Sequence, residues 1–342
     1  MHEILARNVH EALPMGTAFL REFGKQRDSR NGPTIEAPGP VTTTYERPWE
    51  CVILHPERDA NPFFHLMEAL WMLAGRRDLA FLLPFSKQIA EYSDDGVSLQ
   101  GSYGFRWRQH FGFDQLRWVI DELKANPDTR RAMVMMFDPV VDTKPSKDVP
   151  CNTAAHFYIR DGKLTMTVFC RSNDIIWGCY GANAVHFSLL HQYIGAMAGY
   201  QLGTYSQISD SYHAYPRTFE SCKKLPYVLL NPYDDNVAPM TLVANPATWD
   251  TDLKLFMEDP ASNGYDNPFF SRVAKPMFFT HMAWRATNNP RRYSLAKDIA
   301  THIEASDWRT AALEWLKRRE DKWNASGKSA VADQSDAFIP NV

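Results

Sequence analysis

The sequence predicts an α/β protein built on a large mixed β-sheet flanked by helices. Three observations carry that expectation. AAHFYIRDGKLTMTVFC (154–170) sets two strand-like runs around Asp161-Gly162, a dipeptide suited to a tight turn with positive φ. AMVMMFD (132–138) is an unbroken apolar run of strand length. NAVHFSLLHQYIGAMAGY (183–200) is apolar on nearly every face, as a helix central to a core must be. A chain of 342 residues with 44% hydrophobic and 13% aromatic content suits one large domain, or one domain with a substantial appendage.

The remaining elements follow in order. Residues 2–24 read as one amphipathic helix, with Ile4, Leu5, Val9, Leu13, Phe19, Leu20 and Phe23 near helical spacing. The polar turn DSRNGPT leads into a Pro-punctuated extended stretch ending near residue 49. Residues 61–85 form a strongly apolar helix and its exit, and 114–126 an amphipathic helix stopped by Asn126-Pro127. TYSQISDSYHAY (204–215) alternates like a strand and then turns, whereas 224–265, rich in Pro, Asn and Asp, read as loops. Residues 266–320 return to helix and the last eighteen or so read as a frayed tail. The domain expectation is therefore a catalytic unit over 1–265, a helical extension over 266–325 and a flexible tail over 326–342.

Composition narrows the function. A net charge of −3 with scattered basic residues argues against a nucleic-acid footprint. Five cysteines without framework spacing argue for a reducing compartment, and against disulfides and a zinc site. No apolar run approaches membrane length, and MHEILARNVHEALP lacks a signal-peptide core. The expectation is a soluble cytoplasmic protein without a metal.

Chemistry concentrates in two segments. Pro150-Cys151-Asn152-Thr153 offers a thiol after a turn-forming proline, and Arg171-Ser172-Asn173-Asp174 offers a cation, a hydroxyl and a carboxylate. The hairpin between them brings its ends together, so Cys151 and Arg171 are expected side by side, where a guanidinium lowers a thiol pKa. A lone cysteine is more often a small buried hydrophobe, and it is the polar run at 171–174, interrupting apolar segments, that raises the catalytic reading. Arg30, Arg130, Arg131 and Arg171 are each ordinary surface charges taken singly, yet together they could form a cationic socket for phosphate. Glu68 interrupts an apolar helix, either on a solvent stripe or buried as a general acid. His213 and Tyr215 fit a site or a core equally, and His186 reads as a structural group on its helix.

Together these fragments resemble the thymidylate synthase family, which includes pyrimidine-nucleotide hydroxymethylases. The resemblance covers about residues 28–222, with its motifs in family order: Arg30, Glu68-Ala-Leu-Trp-Met-Leu-Ala-Gly75, Tyr103-Gly104-Phe-Arg-Trp107-Arg108, Pro127-Asp-Thr-Arg130-Arg131, Pro150-Cys151, Arg171-Ser172-Asn-Asp174 and His213-Ala-Tyr215. It implies a thymidylate synthase-like fold and a folate-dependent transferase. Cys151 would add to C6 of a pyrimidine deoxynucleoside monophosphate, and C5 would attack the one-carbon unit of the cosubstrate 5,10-methylenetetrahydrofolate. Glu68, with water and Tyr103, would manage the protons. Arg30, Arg171 and Ser172 would hold the phosphate, with Arg130 and Arg131 donated across an obligate homodimer formed through the sheet face. His213 and Tyr215 would meet the deoxyribose hydroxyl. Asp174, catalytic as well, would face the pterin beside Gly178 and Ile89.

Departures from the family pattern favour hydroxymethylation over methylation. Ile89 and Tyr92 stand where synthases usually carry the tryptophans of the folate wall, and Asn152 where histidine commonly follows the cysteine. Asn173 resembles viral hydroxymethylases, and AFIPNV lacks the familiar closing segment. A changed wall lets water quench the methylene that would otherwise be reduced to methyl. At the base-reading position an ungapped alignment gives Ala182, and one extra residue in GCYGA gives Asn183; neither is the aspartate of dCMP hydroxymethylases, which tilts the reading to dUMP and leaves dCMP open. Such a product suits a phage with a modified DNA base, although a bacterial pathway fits too. A non-catalytic nucleotide-binding member is the reading of another class, and the presence of both Cys151 and Glu68 weighs against it. A papain-like hydrolase would need a helix at Cys151, where the sequence is β-type.

Overall fold

Residues 2–24, expected as one helix, divide at Asn8. The computed structural model, which describes residues 1–326 except Lys224, residues 226–229, Asn236 and Thr287, places a strand first. Strand β1 (His2–Ala6) pairs in parallel with β4 (Val41–Tyr45), from His2 against Val41 to Ala6 against Tyr45. Ile4 and Ala6 are buried and Leu5 is exposed, so the apolar residues that suggested a helix alternate instead. Helix α1 (Val9–Phe23) begins only after Asn8, whose side chain accepts from the Glu11 amide at 3.2 Å.

Between them lie β2 (Lys25–Ser29) and β3 (Gly32–Glu36), a hairpin that carries Arg30 at its tip. Helix α2 (Pro62–Leu73) starts with Pro62 at its first position and Asn61 as cap, and Gly75 at φ +71° ends the run. A short helix α3 (Tyr103–Phe105) widens into the turn Arg106–His110, and α4 (Gln115–Ala125) is capped by Asp114. Strand β5 (Met133–Met135) is shorter than expected from 132–138 and forms a sheet edge; the Gln115 amide pairs with both the N–H and the C=O of Met135, at 2.8 and 3.0 Å. The predicted hairpin is β6 (Asn152–Arg160) and β7 (Lys163–Asp174), turned by Asp161 and Gly162 at φ +51° and +73°.

A wide helical turn, Ile175–Ala182, leads into α5 (Asn183–Ala198), which Gly199 ends at φ +86°. Strand β8 (Gln201–Ala214) and α6 (Pro216–Cys222) follow. The expected loop region contains α7 (Trp249–Glu258), whose Trp249, Leu253, Phe256 and Met257 form a buried stripe amid Asp- and Pro-rich flanks. The C-terminal region is helical as expected: α8 (Lys275–Ala286), α9 (Arg291–Ala300) and α10 (Ser306–Ala325). The frayed tail, beyond Ser326, lies outside the described residues.

Among the described residues eight strands form one mixed sheet, ordered β1-β4-β8-β7-β6-β5, with β3 pairing both β2 and β8. The β1/β4 and β7/β8 pairs are parallel and the others antiparallel. Helix α5 is buried almost throughout, with α2 packed on it. The C-terminal helices cover α2 in turn. Trp315 of α10 meets Phe63 of α2 edge-on at 5.3 Å and Trp284 of α8 at 4.7 Å.

Candidate active site

A cavity of about 1080 Å³ opens where the ends of β6, β7 and β8 meet α2, α3 and the start of α5. Strand register builds its floor. The β6/β7 hairpin sets Asn152 opposite Cys170, and the Arg171 amide donates to the Cys151 carbonyl at 2.9 Å. Arg171 Nη2 then lies 4.0 Å from Cys151 Sγ, while its guanidinium also donates to the Pro150 and Val149 carbonyls at 3.0 and 3.2 Å. Parallel pairing of β7 with β8 sets Ser172 opposite Ser211 and Asp174 opposite His213.

The expected effect on the thiol is corrected. Burial pushes the Cys151 thiol up, more than the Arg171 and Arg30 guanidiniums pull it down, and the Asp148 carboxylate pushes it further up. Asp148, three residues before the thiol, is itself pushed up to about 6 by burial, although the Gly101 amide donates to it at 2.7 Å. The strap bearing it is clamped by Asp94, which accepts from the Lys147 amide at 3.1 Å and the Ser146 hydroxyl at 2.6 Å.

Glu68 reaches the cavity from α2. His186 of α5, read from the sequence as structural, also lines it, with Nε2 3.2 Å from Glu68 Oε2. That pair is close but unaligned, and His186 Nε2 makes no hydrogen bond. Tyr103 Oη accepts from the Asn152 amide at 3.2 Å and from its side chain at 2.9 Å, and burial holds the phenol well above its ordinary pKa.

Arg30, Ser172, Asn183, His213, Tyr215, Gly178 and Ile89 all line the same cavity. His213 Nδ1 lies 3.1 Å from the Ser211 hydroxyl, and its ring meets Tyr215 edge-on at 5.6 Å. Arg130 and Arg131 do not line it; both are exposed before β5, and Arg131 pairs with Glu122 at 3.1 Å. Ala182 and Asn183, the two alternatives for the base-reading position, both line the cavity. Tyr180 and Gly181 leave helical geometry in the wide turn before them, and α5 starts with Asn183 buried at the cavity wall.

Asp174 closes the far wall. One oxygen accepts from the Ile176 and Trp177 amides at 2.7 and 3.2 Å, and the other, Oδ2, is buried without a partner. A buried, unpaired acceptor fits a ligand that brings N–H groups, as a pterin does. Burial raises the Asp174 carboxyl pKa. Trp177, half exposed on the rim, is braced by the Arg58 guanidinium 4.7 Å from its ring centroid. Sequence reasoning missed Asp148, Trp177 and His186 as site residues. Only Trp177 left a signal, as an aromatic residue three positions after the polar run, behind Ile175 and Ile176.

The thymidylate synthase family profile matches residues 24–233, more than half of the chain. The chain belongs to the thymidylate synthase family. Within the family it is 44% identical to a deoxyuridylate hydroxymethyltransferase of Pseudomonas phage M6, over 97% of this chain and 99% of that protein. It is 39% identical to one of Bacillus phage SP01, over 54% of this chain and 51% of that relative. A putative thymidylate synthase of Methanothermobacter marburgensis is 36% identical over 39% of this chain and 59% of its own length. The phage M6 match extends through the C-terminal helices that the family profile leaves out. Among the described residues no His/Cys/Asp/Glu group could hold a metal, no helix is long and apolar enough to cross a membrane, and all five cysteines are free.

Proposed function

We propose that the protein hydroxymethylates dUMP at C5, with 5,10-methylenetetrahydrofolate as cosubstrate. The observation that carries this reading is the near full-length match to the phage M6 deoxyuridylate hydroxymethyltransferase. It agrees with the hydroxymethylation that the sequence departures favour.

The residues divide the work as follows. Cys151 adds to C6 of the uracil ring, which makes C5 nucleophilic. Methylenetetrahydrofolate supplies the one-carbon unit. Glu68, beside His186, and Tyr103, held by Asn152, move protons at the base. Arg30, Arg171 and Ser172 hold the phosphate at the hairpin ends, and His213 with Tyr215 meets the deoxyribose hydroxyl. Arg130 and Arg131, free of this cavity, complete the phosphate socket of a second copy in a homodimer. Asp174 receives the pterin through its unpaired oxygen, beside Gly178 and Ile89.

The product follows from the wall. The turn Lys87–Tyr92, which carries Ile89 and Tyr92, buries none of its residues, and Tyr92 is half exposed. In this reading a wall without tryptophans at 89 and 92 admits water to the carbon newly attached to C5. As the bond from that carbon to the folate nitrogen breaks, the C5 proton passes to a cavity base; the water oxygen then becomes the hydroxyl, one water proton passes to a base, and Cys151 leaves as C5=C6 re-forms. Folate departs as tetrahydrofolate without giving up a hydride. The test is to incubate the protein with methylenetetrahydrofolate and equimolar dUMP and dCMP, and to weigh the products. The expected result is dUMP gaining a hydroxymethyl group, and no turnover by Cys151→Ser with nucleotide binding retained. A methyl product, or modified dCMP alone, rejects the reading.

A further inference from the structure

Asn183 carries a side-chain amide, and an amide reads uracil only in one orientation. Uracil offers O4 as an acceptor and N3–H as a donor. Cytosine offers the reverse, a donating amino group and an accepting N3. The same asparagine turned over would therefore suit cytosine.

A chain of buried amides sets that orientation. The Cys179 backbone carbonyl can only accept, and Gln207 Nε2 donates to it at 3.0 Å. Gln207 Oε1 must then face the next link, where it accepts from Asn173 Nδ2 at 3.3 Å; the same Nδ2 donates to the Ser209 hydroxyl at 2.9 Å. This leaves Asn173 Oδ1 to accept from Asn183 Nδ2 at 3.1 Å. Asn183 Oδ1 accepts from Asn152 Nδ2 at 3.0 Å. Gln207, Asn173 and Asn183 are buried, so no solvent stands by to satisfy a reversed member. Turning Asn183 over would set two oxygens or two N–H groups against each other at both of its links, or would reverse the whole chain against a carbonyl that cannot donate. Gly178 belongs to the same construction, because a side chain there would meet Asn173 Oδ1 at 2.5 Å.

We infer that Gln207 and Asn173 are positioning residues that lock the Asn183 amide in the uracil-reading orientation, with the Cys179 carbonyl as the fixed end. One N–H and one lone pair of Asn183 remain uncommitted at the cavity wall, in the donor–acceptor order that uracil requires. The inference deepens the reading of dUMP as substrate and rests on it. It also explains how a residue type that can turn over serves as a base selector.

The test is calorimetric binding of dUMP and dCMP, without folate, to the wild-type protein and to Gln207→Met. Methionine keeps the volume but not the polarity, and the Cys179 carbonyl keeps the Tyr45 hydroxyl as donor at 3.1 Å. Asn173, Asn183 and Asn152 can then reverse together, because Asn152 Oδ1 is without a partner and the Tyr103 hydroxyl beside it can donate as well as accept. The wild type is expected to prefer dUMP, and the variant to lose about ten-fold or more of that preference, mainly through tighter dCMP binding. A residue needed only for packing would weaken both nucleotides alike. An unchanged dUMP:dCMP ratio, or equal weakening of both, overturns the lock and leaves the dUMP reading standing. Wild-type preference for dCMP overturns both. Asn173→Ser, which shortens the chain by one amide, carries the same expectation if Gln207→Met does not fold.

Discussion

At Cys151 burial and local charge act in opposite directions on one atom. Burial and Asp148 disfavour the thiolate, whereas Arg171 and Arg30 favour it. Asp148 also titrates close to neutrality, at about 6, facing Glu68 on α2, Asp94 on the neighbouring loop and the Arg106 guanidinium. Removing its charge therefore lowers the thiol pKa. Asp148→Asn is expected to shift the pH profile of Cys151 alkylation by iodoacetamide to lower pH, because the thiolate no longer forms beside a carboxylate. An unshifted profile would show that solvent screens the two groups from each other. Asparagine can still accept from the Gly101 amide, so the strap itself is expected to stay in place. At this scale the residue types of the site were legible, since Cys151, Glu68 and the 171–174 run stand out against apolar surroundings. The balance at the thiol was not, because burial is a property of the packed cavity.

Among the elements, the contact between α2 and α3 sets the most geometry for the site. Gly104 lets α3 lie directly on α2; a Cβ there would come 2.1 Å from the Met72 carbonyl oxygen and 2.5 Å from its Cα. Those are backbone atoms and cannot rotate away. Gly104→Ala is expected to cost about 1–3 kcal/mol in denaturant unfolding, the usual range for overpacking. It should also lower kcat at least about ten-fold, since the displaced helix carries Tyr103 and its bonds to Asn152. Wild-type kcat with reduced stability would remove Tyr103 from the chemistry. Elements with strong local signals were legible, the 154–170 hairpin above all, where Asp161-Gly162 dictates the turn. β1 was not, because five residues become a strand only when Val41–Tyr45 lies beside them. α7 was hidden by its neighbours, whose prolines and aspartates outweighed a ten-residue apolar stripe.

For the molecule as a whole, buried histidines govern the response to acid. Burial lowers His191 to about 4 and both His10 and His281 to about 3. In the unfolded chain each takes up a proton near pH 6.5, whereas in the folded protein each stays neutral until far lower pH. Their contribution to stability is therefore present above pH 6.5 and is lost as pH falls towards 3–4. By pH 5 each costs about 2 kcal/mol, at 1.4 kcal/mol per unit of pH below 6.5. The midpoint of thermal unfolding is expected to fall steeply between pH 6.5 and 4. His281 sits among Phe63, Phe85, Trp284 and Trp315 with Nδ1 unpaired, so His281→Phe should flatten that slope measurably. A slope as steep as that of the wild type would mean that His281 is not among the groups that acid must protonate.

By itself the sequence determined the fold class, the family and most of the cavity groups to which the proposed chemistry assigns a role, because turn chemistry, apolar runs and the order of the polar motifs are local and survive in one dimension. Only the tertiary structure decided that His186 faces Glu68, that Asp148 stands by the thiol, and that Asn183 rather than Ala182 begins α5 at the end of an amide chain. Those depend on which helix packs on which strand end and where a wide turn breaks before a helix starts, and no periodicity in the chain records either.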